Sequence, residues 1–228
     1  MEDGKKMNNL KIFYEDNHII VVEKKANILS QADSTKDIDM LTIIKKYIKE
    51  KYNKPGNVYL GLVHRLDRPV GGIMVFAKTS KAASRLSEEV RNHTLKKTYL
   101  AVVHGILEKS DGVFSDYLKK ISNGNTIVTT KNDGKYSELH YKVLSYNKKD
   151  KQTLVEINLI TGRHHQIRVQ FASRGYPLCG DQRYGKEDIT QIALYAYKLE
   201  FIHPVTKENM IFENRKINNL SCEFLTEK

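Results

Sequence analysis

One short loop gathers residues whose types could carry chemistry, because His64, Arg65, Asp67 and Arg68 stand close together between two apolar runs. A carboxylate between two guanidinium groups is held in its charged form, since nearby opposite charge favours ionisation. Ionised side chains on loops at the ends of strands are typical of binding and catalytic sites. A surface turn with solvated charges would have the same composition, so the loop alone leaves both interpretations open.

The elements around this loop predict how it is presented. Apolar runs at residues 60–63 and 73–77 are short and rich in branched side chains, which predicts two buried strands. Pro69 kinks the connection, and the Gly71–Gly72 pair predicts a loop tip that adopts positive φ. We therefore expect a strand, a loop that displays Asp67, and a second strand.

The remaining pattern predicts further strands at residues 18–23, 95–103, 126–130, 139–146 and 154–160. Their close succession favours antiparallel pairing. Asp39 is expected to cap a helix that turns Leu41, Ile44 and Ile48 inward. Thr79 or Ser80 is expected to cap a second helix, which ends near Asn92 and buries Ala82, Leu86 and Val90. A third helix is expected over residues 164–174, closed by Gly175.

Three blocks of this sequence resemble the signature of the RluA family of RNA pseudouridine synthases. The string H-R-L-D at residues 64–67 resembles the one that carries the catalytic aspartate of the family. Residues 161–168, T-G-R-H-H-Q-I-R, resemble its G-R-x-H-Q-I-R, and residues 97–105 resemble its K-x-Y-x-A-x-V-x-G. The T-S-G usual after the aspartate loop is here V-G-G at residues 70–72, which keeps the last glycine and loses two hydroxyls.

The resemblance covers the chain from about residue 13 to about residue 204. It implies an α+β pseudouridine synthase fold, with a mixed, mostly antiparallel sheet, flanking helices and a central cleft. It also implies a catalytic domain over residues 11–228 behind a flexible arm at residues 1–10, without the small S4 domain of many relatives. A monomer is expected.

The resemblance assigns three residues to catalysis. Asp67 is the carboxylate that acts beside the sugar, Arg168 pairs with it, and Tyr99 stacks on the target uracil and helps to remove its C5 proton. Each has an ordinary alternative, because a paired loop aspartate, a helix-surface arginine and a core tyrosine are all common. Only the three blocks together favour the catalytic interpretation.

Four more residues are implied to bind substrate. Leu194 packs in the uracil pocket, and Arg65 fills the gap that the target nucleotide leaves when it flips out of its stack. Arg163, with the N-terminus of the helix after it, could hold a phosphate. His165 is expected to pack or to hydrogen-bond within its motif.

The reaction implied needs no cofactor, because uridine and pseudouridine have the same oxidation state and the same atoms. We also expect no metal site: His164 and His165, if helical, would point about 100° apart. The only cysteines, Cys179 and Cys222, have no C-x-x-C spacing, which argues against structural zinc and fits a reducing cytoplasm.

Composition indicates the kind of partner. The 228 residues include 38 Lys and Arg against 27 Asp and Glu, a net charge of +11 that favours a polyanion, of which RNA is the usual one. No apolar run approaches the roughly 18 residues of a membrane span, and the N-terminus has no secretory apolar region. The sequence therefore predicts an RNA-directed protein with no membrane partner, for which ribosomal RNA is the first candidate and transfer RNA the second.

Three rival functions each explain part of the same sequence. A non-catalytic RNA-binding or ribosome-associated protein would explain the charge, but not Asp67, Tyr99 and Arg168 together. A protein kinase is suggested by the H-R-D-like string, yet Leu66 interrupts it and the sequence has neither G-x-G-x-x-G nor D-F-G. A glycoside hydrolase would need two flanking carboxylates, and only Asp67 is nominated.

Overall fold

The computed structural model describes residues 10–185 and 191–215. Cys222 and residues 1–9 of the predicted arm therefore lie outside the described part. Three helices are described: α1 (Met40–Lys51), α2 (Ser80–Arg91) and α3 (Gln166–Ala172). The strands are β1 (Ile12–Glu15), β2 (Ile19–Lys24), β3 (Gly61–Leu62), β4 (Gly71–Ala77), β5 (Lys96–His104), β6 (Asp111–Lys120), β7 (Thr126–Thr129), β8 (Lys135–Asn147), β9 (Gln152–Leu159), β10 (Leu194–Ile202) and β11 (Asn209–Glu213).

The chain divides into two compact units, which are described separately. The first contains residues up to 95 together with 198–214. In it β1 pairs with β2, β2 with β4, and β3 with the end of β4, all antiparallel. The last part of β10, from residue 198, pairs antiparallel with β11. Strand β4 is buried along its whole length, and α2 covers one face of the sheet by packing Ala82 and Leu86 on it.

The second unit contains residues 96–197 and continues from residue 215. Its antiparallel sheet has the order β5-β9-β8-β6-β7. Helix α3 lies on one face, where Phe171 packs its ring edge-on against Phe114 and Tyr141. Tyr99 is directly opposite Ile157, and Ile157 is opposite Tyr141. Because opposed residues share a face, Tyr99 projects from the face that carries α3.

The predicted α+β class is confirmed, as are the ends of two helices. Asp39 caps α1 by accepting a hydrogen bond from the Thr42 N–H, and Thr79 caps α2 in the same way. Gly175 closes the turn after α3 at φ +83°. The inward face of α1 was misassigned, because Met40 and Ile43 are buried beside Ile44 and Ile48 while Leu41 is only half-buried.

Two predictions near the loop were wrong in detail. The first flanking strand is only the two residues of β3, and both are half-buried. Gly71 and Gly72 belong to β4 rather than to the loop tip. Gly72 does have a positive φ of 144°, but it is directly opposite Lys24 in the sheet. The glycines thus extend the buried strand instead of forming the turn.

Strand β6 was not predicted, because its ten residues mix charged, small and apolar side chains. Its buried positions, Phe114 and Leu118, are four residues apart and give no alternating run long enough to detect. Among the described helices, none is long and apolar enough to cross a membrane.

Candidate active site

Asp67 lies half-buried in the loop between β3 and β4, and hydrogen bonds within the same unit hold the backbone beside it. The Ser30 hydroxyl donates to the carbonyl of Leu66 at 2.8 Å and accepts from the Leu66 N–H at 3.1 Å. The Asp67 carbonyl accepts from the Val70 N–H at 3.0 Å, which closes the turn. The main chain is therefore fixed on both sides of the carboxylate.

His64, the first residue of the H-R-L-D string, has a structural role. Its ring is 8% exposed, and its Nε2 accepts a hydrogen bond from the Val75 N–H at 3.2 Å. Because Nε2 accepts this hydrogen bond from a main-chain N–H, Nε2 carries no proton. His64 thus ties the start of the loop to β4.

Lys24 anchors the other end of the loop from a fully buried position at the end of β2. Its ammonium donates to the carbonyl of Ile28 at 2.6 Å, of Arg68 at 3.0 Å and of Lys25 at 3.2 Å. A buried cation is tolerated only where hydrogen bonds replace its water. Here three main-chain oxygens do so.

The charge of Lys24 also acts on the loop. Burial lowers the pKa of Lys24 to about 7, while the Asp67 carboxylate raises it and the Arg68 guanidinium lowers it further. Asp67 therefore has a cationic neighbour that the sequence analysis missed. The letters E-K-K at residues 23–25 do not reveal which lysine points inward, and Lys25 is exposed.

The two arginines of the loop lie at the surface. Arg65 is exposed, and Arg68 forms an ion pair with Asp37 at 2.7 Å in which both side chains are nearly half exposed. Exposed pairs of this kind contribute little to stability. The gap-filling role of Arg65 stays a prediction.

The second unit holds the arginine of the G-R-x-H-Q-I-R block. Arg168 is 4% exposed, and its Nε and Nη2 donate to Asp181 Oδ2 at 2.8 Å and Oδ1 at 2.6 Å. It is thus a buried helix residue with a bidentate carboxylate partner, not a surface arginine. Its expected pairing with Asp67 stays a prediction.

The loop that supplies Asp181 also brings Tyr184 to Arg168. The Tyr184 ring centroid lies 5.3 Å from the guanidinium carbon, within the range of a cation–π contact. The Tyr184 hydroxyl accepts a hydrogen bond from the Thr126 N–H at 2.7 Å and lies 2.9 Å from His165 Nδ1. In the sequence this loop reads P-L-C-G-D-Q-R-Y-G at residues 177–185, and no local pattern marks Asp181 or Tyr184 as a partner of Arg168.

His164 and His165 are arranged differently from the prediction. His165 is the N-cap of α3 in the left-handed conformation at φ 53°, and its ring stacks on that of His164 at 3.6 Å. The expected separation of about 100° assumed helical residues, and neither residue is in the helix. Burial lowers the pKa of His165 to about 3, and positive charge from Arg168, His164, Arg183 and Lys120 acts in the same direction, so its ring is neutral.

The start of α3 is organised by Gln166, whose side-chain oxygen accepts from the Arg163 N–H at 3.0 Å and from the Thr161 hydroxyl at 2.8 Å. The Arg163 side chain is exposed, and its Nε donates to the carbonyl of Tyr136 at 3.0 Å. This hydrogen bond holds Arg163 beside the first residues of β8. Its phosphate-binding role stays a prediction.

Tyr99 and Leu194 are both buried in the second unit, at 5% and 6% exposed. Two residues before Tyr99 on the same face of β5, Lys97 packs its ammonium against Gly162, where an added Cβ would meet it at 3.1 Å. Burial lowers the pKa of Lys97.

Across residues 10–185 and 191–215, no three His, Cys, Asp or Glu side chains are grouped so as to hold a metal ion.

The sequence is similar to those of known proteins over most of its length. The family model described as RNA pseudouridylate synthase matches residues 18–173, which include the loop of Asp67, strand β5 and helix α3. A protein of Bacillus subtilis named "Uncharacterized RNA pseudouridine synthase YhcT" is 34% identical over 90% of this chain and 68% of its own.

A second curated relative carries a more specific name. "Ribosomal large subunit pseudouridine synthase C" of Buchnera aphidicola is 34% identical over 90% of this chain and 66% of its own. Among solved structures, "Human RNA Pseudouridylate Synthase Domain Containing 4" has a TM-score of 0.80 at 20% identity, and covers 98% of this chain and 95% of its own. At that identity the structural likeness supports the fold alone.

Proposed function

Since the chain belongs to the RNA pseudouridylate synthase family, we propose that it converts specific uridines of RNA to pseudouridine and that Asp67 is its catalytic carboxylate. The observation that carries the assignment of Asp67 is the way its loop is held. Hydrogen bonds from Ser30 and Lys24 fix the main chain at Leu66 and Arg68, on either side of Asp67. A catalytic side chain needs such support, because small displacements cost rate.

In the proposed reaction the N1–C1′ glycosidic bond breaks, the uracil turns, and a C5–C1′ bond forms. The C5 proton is lost and N1 gains one, so atoms and electrons balance without an oxidant. An ionised carboxylate beside the ribose serves this reaction at C1′ as a nucleophile or at C2′ as a base.

The other candidate site residues take the roles that family membership suggests. Tyr99 stacks on the uracil and takes part in removal of the C5 proton, with Leu194 as an apolar wall. Arg168 stabilises negative charge, as a buried guanidinium does strongly. Arg65 replaces the flipped nucleotide in its stack, Arg163 contacts a phosphate, and His165, neutral by its lowered pKa, serves as a hydrogen-bonding group.

For the substrate we propose ribosomal RNA, with transfer RNA as the second candidate. The support is the name of the Buchnera relative, which specifies the ribosomal large subunit. The test is to map pseudouridines in total RNA from cells with and without the gene. A site that disappears from ribosomal RNA and returns on complementation would identify the substrate, and a lost site in transfer RNA would replace our first choice.

The assignment of Asp67 is tested with purified protein on that RNA. We expect Asp67→Asn to form no pseudouridine, while it keeps its unfolding transition and its affinity for RNA. Asp37→Asn is the matched control, because it removes an exposed carboxylate whose partner, Arg68, lies in the same loop. Turnover by Asp67→Asn would refute the assignment. Wild-type protein that bound RNA without modifying it would favour the non-catalytic alternative.

A further inference from the structure

Asp181 holds the Arg168 guanidinium by one edge. Nε and Nη2 lie on that edge, and the two oxygens of Asp181 accept from them at 2.8 and 2.6 Å. Two parallel bonds fix both the plane of the guanidinium and its rotation within that plane, which one bond would not do. The side chains are 4% and 0% exposed, so water does not compete for these contacts.

Asp181 is itself fixed by its loop. Its Oδ1 also accepts from the Arg183 N–H at 3.0 Å and from the Tyr184 N–H at 3.2 Å. The Asp181 carbonyl accepts from the Gly185 N–H at 2.8 Å. A Cβ on Gly185 would lie only 2.6 Å from that carbonyl oxygen, so this turn has no room for a side chain there. The carboxylate is therefore presented by a rigid turn.

The guanidinium carbon of Arg168 also lies over the ring of Tyr184, 5.3 Å from the ring centroid. The Tyr184 hydroxyl ties the turn to β7 through the Thr126 N–H. The turn at residues 181–185 thus contacts Arg168 through both a carboxylate and an aromatic ring.

We propose that Asp181 is a positioning residue for the reaction, in that it sets the orientation in which Arg168 offers its remaining N–H groups to negative charge. This inference rests on the proposed function, which makes Arg168 a catalytic residue. A buried ion pair is often no more stabilising than apolar residues of the same volume. The pair is thus better explained by orientation than by stability.

The chain contains a matched control just beyond the end of the same helix. Asp116 binds Arg174 through both oxygens, at 2.9 and 3.1 Å, with the two side chains 12% and 29% exposed. Asp181→Asn and Asp116→Asn therefore remove the same charge from the same kind of pair. Of the two, only Asp181 holds an arginine of the block at residues 161–168 that resembles the family signature.

The experiment measures the single-turnover rate of pseudouridine formation at saturating RNA, the RNA dissociation constant and the unfolding midpoint for each variant. We expect Asp181→Asn to lose about 10²-fold in rate, since displacement of a catalytic group by about 1 Å has that effect. Its dissociation constant should stay at the wild-type value. Asp116→Asn should keep the wild-type rate even where its unfolding midpoint falls.

A second variant covers the case in which Asp181→Asn does not fold. Gly185→Ala keeps both charges but pushes on the Asp181 carbonyl, whereas Gly56→Ala, where nothing lies within 4 Å of the added Cβ, is its control. We expect a lower rate for Gly185→Ala alone. Equal rates in each matched pair, or a loss confined to RNA affinity, would overturn the positioning role with the enzyme assignment intact. Wild-type protein without pseudouridine formation would instead overturn the proposed function, and this role with it.

Discussion

Lys24 gives the sharpest prediction, because its ammonium is fully buried and its pKa is lowered by burial to about 7 from an ordinary 10.5. In the unfolded chain Lys24 is solvated and keeps its proton up to about pH 10.5. Between pH 7 and 10.5 the unfolded state therefore binds one more proton than the folded state. Stability rises with pH wherever the unfolded state binds more protons, so burial of Lys24 costs most below pH 7 and progressively less above it.

The size of this effect follows from the pKa difference. Each pH unit inside the window adds about 1.4 kcal/mol to the free energy of unfolding. From pH 7 to pH 9 the gain is about 2 kcal/mol, because Lys24 is only half deprotonated at pH 7. Lys24→Met has a side chain of similar length without the titrating group, and its stability should lack this rise.

The assay is urea unfolding of wild type and Lys24→Met at pH 7 and pH 9. Other titrating groups are common to both proteins and cancel in the difference between them. Lys25→Met is the control, since Lys25 is exposed and should behave like wild type. If the difference between wild type and Lys24→Met is the same at both pH values, the three carbonyl groups keep Lys24 charged throughout and the reasoning from burial is wrong.

Two further predictions concern the ring of Tyr99 and the carboxylate of Glu15. Tyr99→Phe keeps the stacking face, so if the hydroxyl takes part in C5 proton removal, this variant should bind RNA normally yet lose about 10²–10⁴-fold in rate. Near-normal single-turnover rates would mean that Tyr99 acts through its ring alone, and Tyr99→Leu should then weaken base stacking by roughly 1–3 kcal/mol. Burial raises the pKa of Glu15, but hydrogen bonds outweigh it and lower the value to about 2; the donors are Lys51, Lys78, Tyr47 and Tyr52. Glu15→Gln should lower the free energy of unfolding by roughly 3 kcal/mol at pH 7. In wild type this contribution should decline as the pH falls from about 4.5 to 2, and urea unfolding at pH 7 and pH 3 would measure the decline.

The parts of the fold that local sequence determines were predicted well. Asp39 and Thr79 cap their helices through their own side chains within three residues, so the signal is local. The apolar run at residues 73–77 is buried throughout, as a continuous apolar strand should be. Errors arose where tertiary contacts set the boundary. Gly72 joins β4 because Lys24 lies opposite it.

The supports of the candidate site could not be predicted in this way. Lys24 meets the carbonyl of Arg68 across 44 positions of sequence, and Asp181 meets Arg168 across 13. Neither pair has a spacing that helix or strand periodicity would reveal. The first support links a strand end to a loop, and the second links a loop to a helix. The motif blocks indicated which residues could react, whereas only the fold indicates what holds them.

The two supports differ in how they respond to pH. Arg168 is paired with a carboxylate and keeps its proton at any pH that a protein survives. Lys24 is paired with neutral carbonyls, and burial brings its pKa to about 7. Its neutral amine would leave Asp67 without the cationic neighbour and would offer one donor fewer to the three carbonyls. A rise in pH through 7 therefore acts on the loop of Asp67 before it acts on the turn that holds Arg168.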